Sequence, residues 1–533
     1  RGSEAAEAQC RLLMRNLDGS TSPTYERAAQ MAAEALYPRI TMEQWIADAK
    51  FTPSVDRGNA KCIDDIKQKK TKTAERNMSV PVVENGKLLV DGALMAGTFH
   101  RTPWWNGRPR YSNMMRQKDA VTRFVPGAEH QGGTNRIDSV VANIQRNNTA
   151  VWNQNYGLWY DRRRDDHERI KRITGDVWPP FFEQSIARSG EGKAWDGLSL
   201  YDLTRLNAWY FYRVNKLAEA VPQTMIINQH YFQHNILEAG AHWVDAPWRS
   251  ANNIQSAGEN KGKGTKFLEP VPFTGDKRIF TADLFYDTSD AERAAIYKQY
   301  IWNVLDATAD NENIYQSVSE EYTGPQHFTE FWLRCIAEWE AKTGRNARVV
   351  LNANKNVTDA VMAQKDLAAV VDVIEIEQWF YHGQKLYAPE GGKNLAPRQH
   401  MRLTKTGNPN AHDIYRTVAE THRQNPAKAV VYYAKAYDRA PWAVVFAGGS
   451  CPHMKITDAT LAKALATMRP VYSTFPNNGV YEMEGDAGKM IYNLSGSDID
   501  APNGKAFVVN QKDGTLKPLK AKRIPANAVV WVK

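Results

Sequence analysis

Residues 313–376 carry the pattern that decides the fold. Three short runs rich in β-branched and apolar residues occur in this stretch: NIYQSVS (313–319), ARVVLN (347–352) and VVDVIEI (370–376). The intervening run QHFTEFWLRCIAEWEAK (326–342) places aromatic and aliphatic side chains at helical spacing, and Gly344 is suited to end the helix. Strand patterns that alternate with amphipathic helices predict βα units and a parallel sheet.

The same alternation continues on both sides of this stretch. Further strand patterns lie at 93–98, 149–153, 224–228, 428–434 and 442–447, which makes eight in all. Eight strands separated by helices predict an α/β fold, a (β/α)8 TIM-type barrel, with functional residues at the carboxyl ends of the strands. The long connections 154–206 and 229–288 both follow strands, so we expect them on the functional face.

The two ends of the chain have different patterns from the barrel. Before residue 89 the signals are helical, such as Ser22-Pro23 at a helix start and the capping-box form of Thr41-Met42-Glu43-Gln44. After 469 short strand patterns follow one another, with Lys512-Asp513-Gly514 as a hairpin turn. The predicted organisation is a helical N-terminal extension (1–88), the barrel (89–468) and a small antiparallel, β-sandwich-like C-terminal domain (469–533).

Composition excludes several classes of protein. The 533 residues include 42% hydrophobic and 24% charged ones, unlike a disordered chain or a disulfide-rich miniprotein. The 68 basic against 59 acidic residues give a net charge of +9, but the basic residues are dispersed, so no nucleic-acid partner is expected. No apolar run reaches the roughly 18–20 residues that a membrane span needs.

The sequence lacks the short motifs that are typical of nucleotide binding and of serine hydrolysis. The sequence has no G-x-G-x-x-G or GK[ST] loop between a strand and a helix, and no G-x-S-x-G nucleophile elbow. Nucleotide chemistry and serine hydrolysis are therefore not indicated, and we expect no cofactor and no metal.

Adjacent carboxylates follow the predicted fourth barrel strand at Glu320 and Glu321. A half-enclosed carboxyl group beside a second one can have its pKa raised until it serves as a general acid. The alternative is that one of the pair only forms a salt bridge with an arginine. Strand alternation with Ser317 and Ser319 facing inward would direct Glu321, rather than Glu320, into the barrel.

A second pair of carboxylates lies in the sixth strand. Alternation places Val373, Glu375 and Glu377 on one face and the apolar Ile374 and Ile376 on the other. Two carboxylates that face each other across a sugar are the minimal apparatus of glycoside hydrolysis. Trp379 and Tyr381, directly after the strand, are candidates for a platform on which a sugar ring stacks, the alternative being an aromatic core cluster.

Other candidates for substrate binding lie in the two long loops and near the first strand. Arginines in the first loop could hold a carboxylate or sulfate on a sugar, or could pair with neighbouring aspartates to order the loop. His230 and His234 recur at helical spacing with Glu238 and His242, which could form a metal-binding face, although hydrogen bonding to substrate is the preferred interpretation. The candidates here are Tyr160, Asp161, Arg162, Arg163, His230, His234 and Trp105, and they add to Glu375, Trp379 and Tyr381 at the sixth strand.

Four segments together resemble a large, poorly characterised family of glycoside-hydrolase-like barrels from polysaccharide-degrading bacteria. These segments are NYGLWYDRRRDDHER (155–169), NQHYFQHNILEAGAHW (228–243), EEYTGP (320–325) and LAPRQH (395–400). Members resemble exported enzymes, which implies a secreted or periplasmic protein. The start at Arg1, without signal-peptide features, fits a processed or trimmed form.

More distantly, the barrel resembles the retaining glycosidases whose acid/base glutamate ends strand four after an asparagine. That resemblance implies that Glu320 is the acid/base. Two departures accompany it, since Ser319 stands in place of the asparagine and the end of strand seven has no glutamate. Glu377 is therefore the first choice for the nucleophile and Asp438 the second.

The expected function is cleavage of a glycosidic bond in a polysaccharide or oligosaccharide, with Glu320 as acid/base. An acidic glycan is favoured by the net charge and by the arginines of the first long loop. Two alternatives stay open: a catalytically inactive carbohydrate-binding barrel, and a polysaccharide lyase that removes a proton next to a uronate carboxylate.

Overall fold

The structure is a computed structural model. It describes residues 79–101, 121, 123–124, 137–154, 181–182, 184–192, 194, 199–232, 246–256, 285–393, 405–472 and 478–533.

The strands are short, most of them three to six residues long. In chain order they are β1 (Val82–Glu84), β2 (Lys87–Val90), β3 (Ala93–Leu94), β4 (Thr98–Arg101), β5 (Arg123–Phe124), β6 (Thr149–Gln154), β7 (Phe181–Phe182), β8 (Ile186–Arg188), β9 (Tyr201–Leu206), β10 (Met225–Gln229), β11 (Ile314–Ser317), β12 (Val349–Leu351), β13 (Val371–Ile376), β14 (Phe380–His382), β15 (Lys385–Tyr387), β16 (Ala429–Tyr432), β17 (Arg469–Pro470), β18 (Val480–Gly485), β19 (Gly488–Asn493), β20 (Ile499–Asp500), β21 (Ala506–Val509), β22 (Leu516–Pro518), β23 (Arg523–Ile524) and β24 (Val529–Val532).

The helices of the described residues follow barrel strands, except the last, which leads into the C-terminal sheet. They are α1 (Ile137–Arg146), α2 (Ala208–Ala220), α3 (Ala291–Thr308), α4 (Gln326–Thr343), α5 (Lys355–Met362), α6 (Lys365–Val370), α7 (Ala411–Gln424), α8 (Pro441–Phe446) and α9 (Ala459–Thr467). None of these helices is both long and apolar enough to cross a bilayer.

Seven parallel strands form the central sheet, in the order β16-β13-β12-β11-β10-β6-β4. Each strand pairs in parallel with the next one along the chain, and the intervening helices pack outside the sheet. This arrangement is that of an α/β barrel, as the sequence predicts.

The eighth position of the barrel is occupied by a short segment at 450–452, in which Ser450 forms a parallel bridge with Val431. Ser450 N donates to Val430 O at 2.8 Å, and Cys451 N donates to Met95 O at 3.0 Å. Gly97 N in turn donates to the carbonyl of Pro452 at 3.2 Å. These bonds connect β16 with the residues that precede β4, so the two edges of the seven-stranded sheet are joined.

The prediction of a strand at 442–447 is wrong, because Pro441–Phe446 is helix α8. Pro441 lies in the first turn, where its fixed φ and missing N–H suit a helix start. The run WAVVF is buried throughout, and a short apolar run that is buried on every side has no period by which a strand can be told from a helix.

The strand pattern at 93–98 is divided between two sheets. Ala93 and Leu94 form β3 of a small antiparallel sheet, whereas the first barrel strand starts only at Thr98. Gly97 lies between the two, where a Cβ atom would approach Asn148 O to 2.3 Å. The close backbone contact at this position therefore needs glycine.

The antiparallel sheet β1-β2-β3 closes the amino end of the barrel. Leu88 and Met95 pack into the same apolar cluster as the inward-facing barrel residues, and Tyr315 donates its hydroxyl to Pro81 O at 2.9 Å. Residues 79–88 of the expected helical extension thus contain strand β1, a turn at Asn85 and Gly86, and the start of β2, and residues 1–78 lie outside the described residues.

Antiparallel strands follow residue 469, as the sequence predicts. A six-stranded sheet has the order β17-β18-β19-β24-β21-β22, and β20 pairs with β23. Tyr481 stacks on Tyr415 of α7 at 3.9 Å, and Tyr492 contacts Phe446 of α8 at 5.5 Å between ring centroids. The sheet therefore packs against the outer helices of the barrel.

Candidate active site

A ring of polar side chains lines the carboxyl end of the barrel. One apolar cluster fills the interior below it and contains Phe99, Val151, Ile227, Tyr315, Val350, Val373 and Val431, one from each strand of the sheet. Side chains two positions apart share a strand face, so the next inward residues follow directly. They are Arg101, Asn153, Gln229, Ser317, Asn352, Glu375 and Tyr433.

Glu320 and Glu377 meet at the mouth of this ring. Glu320 follows β11 and Glu377 follows β13, and each forms an ion pair with Arg101 at the end of β4. Glu321 forms a third ion pair with Arg101, at 3.3 Å. One carboxylate oxygen from each of the three glutamates lies within 4.8 Å of those of the other two. The carboxylates predicted at the ends of the fourth and sixth strands are thus brought together.

Glu320 is the most enclosed of the three. Its side chain is fully buried, and its Oε2 accepts a hydrogen bond from Asn153 Nδ2 at 2.5 Å. Gln229 Nε2 donates to Asn153 Oδ1 at 2.6 Å and so fixes the orientation of that amide. Burial raises the pKa of Glu320 well above its usual range, and Glu377 adds to this effect, although Arg101 opposes it. Glu320 is therefore suited to hold a proton.

Several donors hold Glu377. Besides the ion pair with Arg101, its Oε2 accepts from Asn352 Nδ2 at 2.8 Å and from Gln378 Nε2 at 3.3 Å. Hydrogen bonds to the charged form of a carboxyl group favour that form. The donors around Glu377 therefore fix the orientation of its carboxyl group.

The prediction from alternation along the sixth strand is confirmed in its geometry. Ile374 and Ile376 pack in the outer core with the helices, whereas Val373 belongs to the interior cluster. Glu375 consequently points inward, is 1% exposed, and accepts from Asn352 Nδ2 at 2.9 Å. Burial raises the pKa of Glu375 to about 7, with a further contribution from Glu377.

Alternation fails at the end of the fourth strand. Because β11 ends at Ser317, the period of two does not extend to Glu320 and Glu321. Glu321 adopts a positive φ of 49° and keeps a partly exposed side chain, whereas Glu320 turns into the ring. Of the two adjacent glutamates, Glu320 is the one that lies against Asn153 and beneath the surface.

Tyr433 supports Arg101 from the end of the seventh strand. The guanidinium carbon of Arg101 lies 4.6 Å from the centre of the Tyr433 ring, which also stacks on Phe99 at 4.6 Å. Tyr437 contacts the same ring at 4.4 Å. The aromatic group next to the carboxylates thus comes from strand seven.

Several predicted site residues, among them binding candidates and the second candidate for the nucleophile, lie away from the carboxylates. His230 is outward-facing and fully buried, where its Nδ1 accepts from Trp332 Nε1 of α4 at 3.1 Å and burial lowers its pKa to about 4. Trp379 is buried in the outer core. Tyr381 packs under the guanidinium of Arg416 on α7, at 3.7 Å. Asp438 is exposed and does not belong to the group of three glutamates.

The remaining candidates lie outside the described residues. They are Trp105, Tyr160, Asp161, Arg162, Arg163 and His234.

Sequence reasoning missed five residues of the polar ring: Arg101, Asn153, Gln229, Asn352 and Tyr433. The signal that could have found them is the same alternation that placed Glu375. Applied to Ile227, for example, it directs Gln229 inward and His230 outward.

Comparison with known proteins gives one family match and several remote structural likenesses. A crystal structure of a glycoside hydrolase family 5 protein from Bacteroides vulgatus aligns with a TM-score of 0.44 and 12% identity, covering 86% of this chain and 92% of that one. A second structure, described as a glycoside hydrolase, gives a TM-score of 0.40 and 11% identity over 86% of this chain and 93% of its own.

A third structure, AmyP in complex with maltose, gives a TM-score of 0.32 at 10% identity and covers 82% of this chain and 95% of that one. Comparison with curated proteins gives no match. The model of a family described as a domain of unknown function, DUF6298, matches residues 1–468. This confirms the expectation of a poorly characterised barrel family, and the chain belongs to the DUF6298 family.

Proposed function

We propose that this protein is a glycoside hydrolase in which Glu320 is the general acid and base and Glu377 is the nucleophile. The observation that carries the proposal is the meeting of these carboxylates at the barrel mouth, with oxygen atoms within 4.8 Å of one another. Retaining glycosidases have carboxyl groups about 5–5.5 Å apart, whereas inverting ones have them about 6.5–9.5 Å apart. The spacing therefore supports a retaining mechanism.

The environments of the two groups support this division of roles. Glu320 is buried, and its pKa is raised, so it enters the reaction as a neutral acid. Glu377 is held by Arg101, Asn352 and Gln378, so it enters as a carboxylate whose orientation is fixed. Pairs of carboxyl groups whose environments separate their charge states are typical of this chemistry.

The reaction proceeds in two steps. The carboxylate of Glu377 attacks the anomeric carbon while the proton of Glu320 passes to the glycosidic oxygen, so that the C1–O bond breaks and a glycosyl ester forms. Glu320, now ionised, takes a proton from water as that water attacks C1, and the ester bond to Glu377 breaks. Both carboxyl groups then have their initial protonation states.

The substrate class is a polysaccharide or its oligosaccharides. The net charge of +9 favours a glycan that carries carboxylate or sulfate groups, because a positive field raises the local concentration of anionic ligands. A comparison of activity on neutral and on acidic glycans of similar chain length tests this preference for anionic substrates.

The test is a screen of plant and algal polysaccharides with the purified protein, followed by analysis of products. We expect new reducing ends, with the first-formed anomer identical to that of the substrate by proton NMR. Glu320→Gln and Glu377→Gln should each abolish product formation while leaving the circular dichroism spectrum unchanged. Activity near the wild-type level in either variant contradicts the assignment.

Two other outcomes of the screen would each indicate a different function. Binding of a glycan without any release of reducing ends would identify a carbohydrate-binding barrel. Unsaturated products that absorb in the ultraviolet would identify a lyase.

A further inference from the structure

The second carboxylate of the sixth strand shares a hydrogen-bond donor with the proposed nucleophile. Asn352 Nδ2 donates to Glu375 Oε2 at 2.9 Å and to Glu377 Oε2 at 2.8 Å. Asn352 is fully buried and Glu375 is 1% exposed. Both N–H groups of one amide are thus used to hold two carboxyl groups, one above the other.

Negative charge in this region exceeds the positive charge available to it. The titratable and charged groups that act on Glu375 or on which it acts are Glu377, Arg101, Glu320 and Cys451. Arg101 already forms ion pairs with three glutamates, none of which is Glu375. Glu375 Oε1 has no hydrogen-bond partner among the described residues. A buried carboxylate without a cation is far more costly than a buried neutral acid.

We propose that Glu375 is a positioning residue that is protonated at pH 6 and holds Asn352, and through Asn352 the carboxylate of Glu377, in the orientation needed for attack. This inference rests on the proposed function, since it assigns Glu377 as the nucleophile. In this proposal Glu375 does not touch the substrate, because it is 1% exposed and lies one inward position below Glu377.

The protonation state is tested without any substrate. Infrared difference spectra at pH 6 compare the wild type with Glu375→Gln and with Glu375→Met, either of which suffices if the other does not fold. We expect each variant to lose one protonated-carboxyl band. Glu377→Gln is the matched control two residues along the same strand face, and it should lose an ionised-carboxylate band instead. An unchanged protonated-carboxyl band in the Glu375 variants overturns the proposal, as does its loss in Glu377→Gln.

The positioning role is tested with whichever polysaccharide gives reducing ends in the screen. Glutamine mimics a protonated glutamate, so Glu375→Gln should lower kcat less than about tenfold, whereas Glu375→Met should lower kcat at least about 100-fold. KM should change little in both, because the side chain does not contact substrate. Equal losses in the two variants overturn the positioning role.

Absence of new reducing ends with every polysaccharide would refute the proposed function. The infrared spectra would still show whether Glu375 is protonated, because they need no substrate. The two failures are therefore distinguishable.

Discussion

The side-chain amide of Asn153, at the end of β6, lies 2.5 Å from the carboxylate of Glu320, which follows β11. The two residues are 167 positions apart in sequence. Gln229 fixes the amide from its other side, so the donor is oriented before any substrate binds. This preorganised contact places the proposed acid at the mouth of the barrel.

Asn153→Ala should lower kcat by about 10- to 100-fold, since a hydrogen bond to a group that becomes charged contributes about 1.5–3 kcal/mol. The measurement is steady-state turnover on the polysaccharide identified by the screen. Asn143 on α1 serves as the control, because its Oδ1 accepts from exposed Arg146 far from the ring. A loss in Asn143→Ala as large as in Asn153→Ala would show that the effect is not specific to the site.

Glu320→Gln and Glu321→Gln should differ strongly in effect. Glu320→Gln replaces the carboxyl group that acts as general acid and is expected to lower kcat at least about 100-fold. Glu321→Gln should lower kcat less than about tenfold, because that side chain is partly exposed and lies at 3.3 Å from Arg101. The reverse ranking would assign the acid to Glu321.

Arg101→Met should lower kcat by at least about 100-fold, because the three carboxylates would lose the cation that they share. Arg101→Lys should recover only part of this loss, since an ammonium group cannot reproduce the fork of the guanidinium. Arg334→Met is a control, because its ion pair with Asp366 lies on the surface. Full activity in Arg101→Lys would show that charge alone is sufficient.

The contribution of Glu375 to stability should fall as the pH rises from about 4.5 to about 7. Its pKa is raised from 4.5 to about 7 in the folded state, so the folded protein binds more protons than the unfolded chain in this window. Because Glu375 ionises at lower pH in the unfolded chain than in the folded protein, it lowers the free energy of unfolding by about 3 kcal/mol between pH 4.5 and pH 8. Glu375→Gln removes this contribution.

The comparison is the free energy of urea unfolding at pH 5 and pH 8. Relative to the wild type, Glu375→Gln should be more stable at pH 8 than at pH 5. Glu484→Gln, at an exposed position on β18, should show no such change between the two pH values. A parallel pH dependence in wild type and Glu375→Gln would exclude the effect.

His230 should produce the opposite dependence at acidic pH. Burial lowers its pKa from 6.5 to about 4, so the unfolded chain binds more protons than the folded protein below pH 6.5. The contribution of His230 to stability should therefore fall by about 3 kcal/mol as the pH drops through this range. His230→Phe lowers the stability at pH 7, because Trp332 Nε1 loses its acceptor, but it should flatten the slope between pH 7 and pH 4.

The measurement for His230 is urea unfolding at several pH values, with exposed His382 on β14 as the matched control. His382→Phe should keep the slope of the wild type. An unchanged slope in His230→Phe would contradict the role given to its burial.

Local pattern was sufficient for the repeating units of this fold. The helix predicted at 326–342 is α4, and Gly344 ends it with a φ of 69°, because helical spacing and a left-handed terminal residue are properties of neighbouring residues. The inward placement of Glu375 followed likewise from the period of two along β13. Pairs of carboxylates at two strand ends were also visible as candidates.

The ring itself depended on contacts between distant segments. Arg101 reaches glutamates more than 200 residues away, and no local pattern relates the end of β4 to the ends of β11 and β13. Glu320, rather than Glu321, points into the ring because Glu321 adopts a left-handed backbone conformation after the strand has ended. Burial raises the pKa of Glu320, and burial is a property of the closed barrel, since it arises only when strands far apart in sequence enclose the same space.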